Sequence, residues 1–155
     1  MSEAVVITHI RERNGSLKVT VQDAIFIAEF SGACTLRIAK AFHQSVTDAQ
    51  PHLPNDGWAY LSSSQDYVAA LPEVEQIYAD TYRLCTHYGC LIEAYCMPSK
   101  VGLAQVDKAR RACGVTSPIE KLAFNSIDDA KYYLVSTLAH IKEKRKLKQS
   151  DHAEG

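Results

Sequence analysis

The sequence has no apolar run long enough to cross a bilayer, no excess of charge of either sign, and a single tryptophan. A membrane-spanning helix needs about 20 consecutive apolar residues, and every uncharged stretch here is shorter. Lys and Arg number 17 against 18 Asp and Glu, a formal net charge of −1. That balance lacks the basic field that general nucleic-acid or membrane-surface binding requires. No pair of cysteines has the Cys-x-x-Cys spacing, and no serine sits between the glycines of a nucleophile elbow. The start, Met1-Ser2-Glu3, has an acid where a secretion signal carries basic residues, so no signal peptide is expected. An odd cysteine count, Cys34, Cys85, Cys90, Cys96 and Cys113, then reads as reduced thiols in a cytoplasmic protein.

What is present suits one domain. The chain has 155 residues and is 46% hydrophobic, enough to build a core without a metal or disulfide staple. Residues 1–14 are ambiguous, with Ala4 to Ile7 open between a short strand and no regular structure. Asn14-Gly15 is a turn signal. Leu17, Val19 and Val21 alternate with polar residues as in a half-buried strand, and Ala24 to Phe30 is a more deeply buried one, so the two form a hairpin. Leu36, Ala39, Phe42, Val46 and Ala49 recur at helical spacing behind Thr35 as N-cap. A short strand follows at 58–61, then a polar loop from Ser62 to Tyr67. Pro72 opens a second helix that Gly89 closes. Leu91 to Met97 reads as a central strand, Val101 to Cys113 as a third helix behind Ser99, and Leu122 to Phe124 as a fifth strand. A last helix, capped by Asn125 or Ser126, runs to about Ile141. Strands alternating with helices after an opening hairpin predict an α/β fold, a five-stranded mixed sheet with about four helices. The boundaries expected are an N-terminal segment 1–14, a single domain 15–141, and a basic helix end and tail 142–155.

The order of these elements, with Gly15-Ser16-Leu17-Lys18-Val19 leading to Ile25-Phe26-Ile27 and Ser31-Gly32, and the closing Phe124-Asn125-Ser126-Ile127-Asp128-Asp129-Ala130-Lys131-Tyr132-Tyr133-Leu134, resembles the SpoIIAA-like proteins. These have the STAS-type fold of anti-sigma-factor antagonists. The resemblance covers roughly residues 15–141 and implies a regulatory or scaffolding module that binds another protein. In the phosphoregulated antagonists a serine opens the helix after the third strand. The matching stretch here, Tyr67-Val68-Ala69-Ala70-Leu71-Pro72, has no hydroxyl except that of Tyr67, so the resemblance implies a module without that switch.

Several clusters are candidates for chemistry. Cys85, His87, Cys90 and Cys96 are zinc-type side chains, but their spacing sends them in different directions, so no metal or other cofactor is expected. Ser62, Ser63, Ser64 and Asp66 follow a strand and precede a helix, where α/β sheets place their ligands. They are the candidate binding loop, although it lacks the glycines of a phosphate cradle. The tyrosines Tyr78, Tyr82, Tyr132 and Tyr133 suit an interface, with Tyr78, Tyr82 and Tyr132 the leading candidates. Lys142, Lys144, Arg145, Lys146 and Lys148 read as a solvated helix end whose cations complement the helix dipole. No residue is assigned a catalytic role. The reading that follows is a non-enzymatic interaction module with an unidentified protein partner, capable of forming a homodimer, and no role in nucleic-acid or membrane binding. Two alternatives are a carrier of a small apolar, lipid-like ligand, marked by a large dry pocket between sheet and helices, and an enzyme, marked by a shifted titratable pair in a cleft.

Overall fold

A computed structural model describes residues 3–154, with side chains described to residue 150. Six strands and four helices follow in the order β1 (Val5–Arg11), β2 (Gly15–Gln22), β3 (Ile25–Cys34), α1 (Leu36–Ala49), β4 (Trp58–Ser63), β5 (Tyr67–Ala70), α2 (Glu75–His87), β6 (Cys90–Cys96), α3 (Lys100–Ala112) and α4 (Ile127–Glu154). The sheet runs β1-β2-β3-β4-β6, with β5 also on β3. The first three strands are antiparallel, whereas β4, β5 and β6 are parallel to their neighbours. The mixed sheet with four helices is the expected architecture.

Individual strands differ from expectation. The ambiguous N-terminal segment contains β1, an edge strand paired along β2 with one irregularity between Val6 and Thr8. Tyr67–Ala70, expected as a loop running into a helix, is β5. It takes up the end of β3 after β4 has left it: Ile25 to Ala28 pair with β4, and Gly32 to Cys34 with β5. Leu122 to Phe124 is not a full strand. Ile119–Leu122 is a short 3-10 turn, and only one bridge, Tyr95 to Ala123, joins this segment to the sheet.

Local chemistry accounts for the joints. Asp23 and Ala24 have φ of 52° and 67°, the two left-handed residues of a tight hairpin turn between β2 and β3. Thr35 caps α1 by accepting from the Ile38 amide, 3.3 Å. Ser99 caps α3 through the Gly102 amide at 3.0 Å and donates its proton to the Val68 carbonyl at 2.7 Å, tying α3 to β5. A Cβ on Gly102 would stand 2.7 Å from the Tyr67 ring, so glycine lets α3 rest against that ring. Ser126 caps α4 through the Asp129 amide.

Alternation along the strands divides the core. Leu17, Val19, Val21, Phe26, Phe30 and Trp58 point to the side covered by α1, α2 and α3. Ile25, Ile27, Ala59, Leu61, Ala94 and Cys96 point to the other, where Ala130, Leu134 and Leu138 of α4 cover them. Each large side chain fully buried this way contributes about 1.5–3 kcal/mol. Beyond Leu138, α4 continues as a largely exposed helix, with Lys142 paired to Asp56 at 2.9 Å. That pairing hydrogen bond holds the Asp56 carboxyl below its ordinary pKa. No helix among the described residues is long and apolar enough to cross a membrane.

Candidate functional site

The serine cluster does not form a solvated loop. Ser62, Ser63 and Ser64 are buried, while Gln65 and Asp66 are exposed. Where β4 departs and β5 has not yet begun, the Phe30 amide faces no strand partner. The Ser64 hydroxyl accepts from it at 3.1 Å, and Ser62 Oγ lies 2.8 Å from Ser64 Oγ. The Ser64 amide in turn donates to the Cys96 carbonyl. The serines thus bridge a gap in the hydrogen-bond ladder, since a buried amide left unpaired would cost about 1–3 kcal/mol. Turn-rich composition concealed this structural use.

Beneath them, between β3–β6 and α2–α3, lies a cavity of about 420 Å³. Phe30, Phe42, Tyr60, Tyr78, Met97 and Val106 supply much of its wall. Tyr78 is therefore a core residue rather than an exposed interface residue: it is buried, its ring packs edge-on to Phe30 and Phe42, and its hydroxyl lies 3.0 Å from that of Tyr67. Tyr82 also faces the cavity, from α2. Its hydroxyl donates to Glu93 Oε1 at 2.8 Å, and Tyr95 donates to Glu93 Oε2. The fully buried Arg110 completes the group: Nε donates to Glu93 at 3.2 Å, and the two terminal nitrogens reach Asp107, the Ser117 carbonyl and the Ser117 hydroxyl. A charged residue inside the otherwise apolar run 91–97 was the one local sign of this network.

The electrostatics keep these groups in quiet protonation states. Burial, reinforced by the Glu93 charge, raises the Tyr82 and Tyr95 hydroxyls above their ordinary range, and burial raises Tyr60 and Tyr78 likewise. Burial pulls the Arg110 guanidinium down, but the charge and hydrogen bond of Glu93 more than offset it, so its pKa rises. Asp107 is held below its ordinary value, chiefly by its hydrogen bond from Arg111. Burial pushes Cys34 up to about 11 and Cys90 to about 12, and raises Cys85 well above 9.0. These thiols stay protonated at neutral pH, and the thiolate is the nucleophile. The Thr81 hydroxyl lies 2.7 Å from the Ile77 carbonyl, to which it can donate, and 2.9 Å from His43 Nδ1.

Of the zinc-type residues only Cys85 and Cys90 come together, on the wall of the cavity. Cys85 faces the cavity, Cys96 lies on the opposite face of the sheet with its thiol on the Ser126 carbonyl, and His87 is exposed. Among the described residues no group of three or more His, Cys, Asp or Glu side chains is disposed to hold a metal.

A third feature lies at the carboxyl edge of the parallel strands. The Gln105 amide grips Ala70 at both its N–H and its C=O, 2.8 Å each, as a neighbouring strand would. This blunts the free edge of β5. The Leu71 amide donates to the Cys34 carbonyl, setting Leu71 beside the start of α1, and the Ser99 bond sets Val68 beside the start of α3. Leu36, Val68, Leu71 and Val101 are 36%, 63%, 43% and 61% exposed at this end. Tyr132, 77% exposed on α4, lies on the other side of the sheet.

No family model and no curated protein sequence matches the chain. The structure is similar to the crystal structure of an anti-sigma factor antagonist from Mycobacterium paratuberculosis, with a TM-score of 0.52 and 15% sequence identity, over 77% of this chain and 93% of that one. The two share a fold.

Proposed function

We propose that this chain is a non-enzymatic regulatory module that binds another protein through the carboxyl edge of its sheet. The observation that carries the reading is the exposed apolar patch of Leu36, Val68, Leu71 and Val101, gathered around β5 and the starts of α1 and α3. Isolated exposed apolar residues are ordinary, but a cluster at one edge marks an interaction surface. The likeness to an anti-sigma factor antagonist supports a partner that is itself a protein. Asp66, exposed beside β5, supplies a polar rim, whereas Ser62, Ser63 and Ser64 are committed to the sheet. Binding is then not gated by phosphorylation at the helix start, where Ala69, Ala70 and Leu71 precede Pro72. Tyr132 and Val135, exposed three residues apart on α4, form a separate and smaller surface suited to self-association.

The test is affinity capture with wild type and a Val68→Glu/Val101→Glu variant in parallel, followed by titration of the purified partner. The patch variant loses the partner. A Tyr132→Ala variant and phosphatase-treated wild type both bind as before. A partner held equally well by the patch variant, or an affinity that changes on dephosphorylation, refutes the reading.

A further inference from the structure

We infer that the cavity between β3–β6 and α2–α3 is a binding site for a small apolar carboxylic acid, whose acyl or aromatic body enters among the rings and whose carboxylate rests at the mouth against Lys121. Protein interiors are close-packed and leave few voids larger than a water molecule. A cavity of about 420 Å³ is of another order, within the size range of small-molecule sites. Its shape follows from the side chains that wall it. Rings from α1, α2, β3, β4 and β6 line it, among them Phe30, Phe42 and Tyr60 in contact with one another.

The wall selects the ligand's body. Phe30, Phe42, Met97, Val106 and Ala109 offer no hydrogen bonds, and most of the polar side chains that reach the cavity already hold partners. Tyr67 and Tyr78 bond hydroxyl to hydroxyl. Glu93 receives Tyr82, Tyr95 and Arg110. A charged or many-hydroxyl ligand would find few free partners inside, and burying an unpaired polar group is costly. Glu93, neutralised by Arg110, does not repel an acid nearby.

The mouth selects the head. It opens along the free edge of β6, between Tyr82 and Thr86 of α2 and the segment from Ser117 to Leu122. Lys121 stands on this rim, exposed, and forms no ion pair among the described residues. A cation at the rim of an apolar cavity is the arrangement that holds an amphipathic acid by both ends. The site is distinct from the apolar patch around Val68 and Val101, so its test is independent of the partner-binding reading.

Decanoic acid and decanol serve as probes, titrated calorimetrically and by thermal melting into the full chain. One decanoate binds per chain and raises the melting temperature as its concentration rises. Ala109→Trp and Val106→Phe, which fill the cavity, each weaken decanoate by at least about tenfold. Lys121→Glu weakens decanoate roughly fivefold, the worth of one exposed ion pair, and leaves decanol unchanged. Val68→Glu changes neither probe. Shifts of the Met97 and Val106 methyl resonances on adding decanoate locate the ligand in wild type, whatever the folding of the filled variants. The site is overturned if neither probe binds saturably, or if those methyls do not respond. Equal affinity for decanol and decanoate, unaltered by Lys121→Glu, overturns the acidic end.

Discussion

The two faces of the one sheet are built differently. On the α4 face, Ala59 and Ala94 lie flat and let Leu134 and Leu138 settle onto Ile25, Ile27 and Leu61. On the other face, the strands carry Phe26, Phe30, Trp58, Tyr60 and Tyr95, and three helices stand over them. Small side chains beneath a single helix close completely. On the other face Phe30 packs edge-on to Phe42 with centroids 5.0 Å apart, yet a cavity of about 420 Å³ remains among the surrounding rings. The same strands make a closed wall on one side and border a cavity on the other, through what alternates along them.

The largest effect expected comes from breaking the polar group at the cavity's edge. Arg110→Ala leaves Glu93 without its cation, and urea titration is expected to show a loss of about 3–5 kcal/mol. An Arg110→Met/Glu93→Leu double variant recovers much of it, since a well-packed apolar pair often replaces a buried ion pair at little cost. A single-variant loss below about 1 kcal/mol would mean that the pair is not buried as described.

Truncation on the two faces sharpens the contrast. Leu134→Ala opens a hole in the closed face and is expected to cost about 3 kcal/mol, transfer and cavity terms together. Val106→Ala, on a wall that already borders open space, forfeits only the transfer term, about 1 kcal/mol. Equal losses in chemical denaturation would say that the two faces are packed alike.

The smallest effect per group is alkaline. Cys34 and Cys90 titrate at about 11 and 12 in the folded chain against 9.0 for a free thiol, and Tyr67 at about 12 against 10.0, with burial the main cause in each. Their folded values are raised, so the stability they confer is complete below pH 9.0 and is lost as pH climbs through the window up to about 12. Each thiol is expected to cost less than about 1 kcal/mol between pH 8 and 9.5, read as a falling melting temperature. Cys34→Ala flattens that slope slightly. A slope unchanged in a Cys34→Ala/Cys90→Ala variant would remove the thiols from the account.

How much of this was legible in the sequence follows from how local each cause is. The alternation of Leu17, Val19 and Val21, the helical spacing from Leu36 to Ala49, and the caps Thr35, Ser99 and Ser126 are local, and they led to the mixed sheet and its four helices. β5 was not legible, because four residues before a proline look like a loop. They are a strand only because β3 outlasts β4 and offers Gly32 to Cys34 to whatever comes alongside. Leu122 to Phe124 had strand-like residues, but the 3-10 turn from Ile119 left Ala123 alone to reach β6. The cavity was not legible either. Its wall is assembled from residues between Phe30 and Tyr133 that only the fold brings together. Tyrosine count suggested an interface, and burial turned Tyr78 inward instead.

The serine hydroxyl that fills the gap between β4 and β5 bears on the history of any chain found modified there. A kinase must grasp several residues of its substrate in extended, accessible form, and Ser64 is sealed between the Phe30 amide and the Cys96 carbonyl. A phosphate on that oxygen would be a timestamp. It would record a chain that was modified before the sheet closed, or one whose seam had since been prised apart.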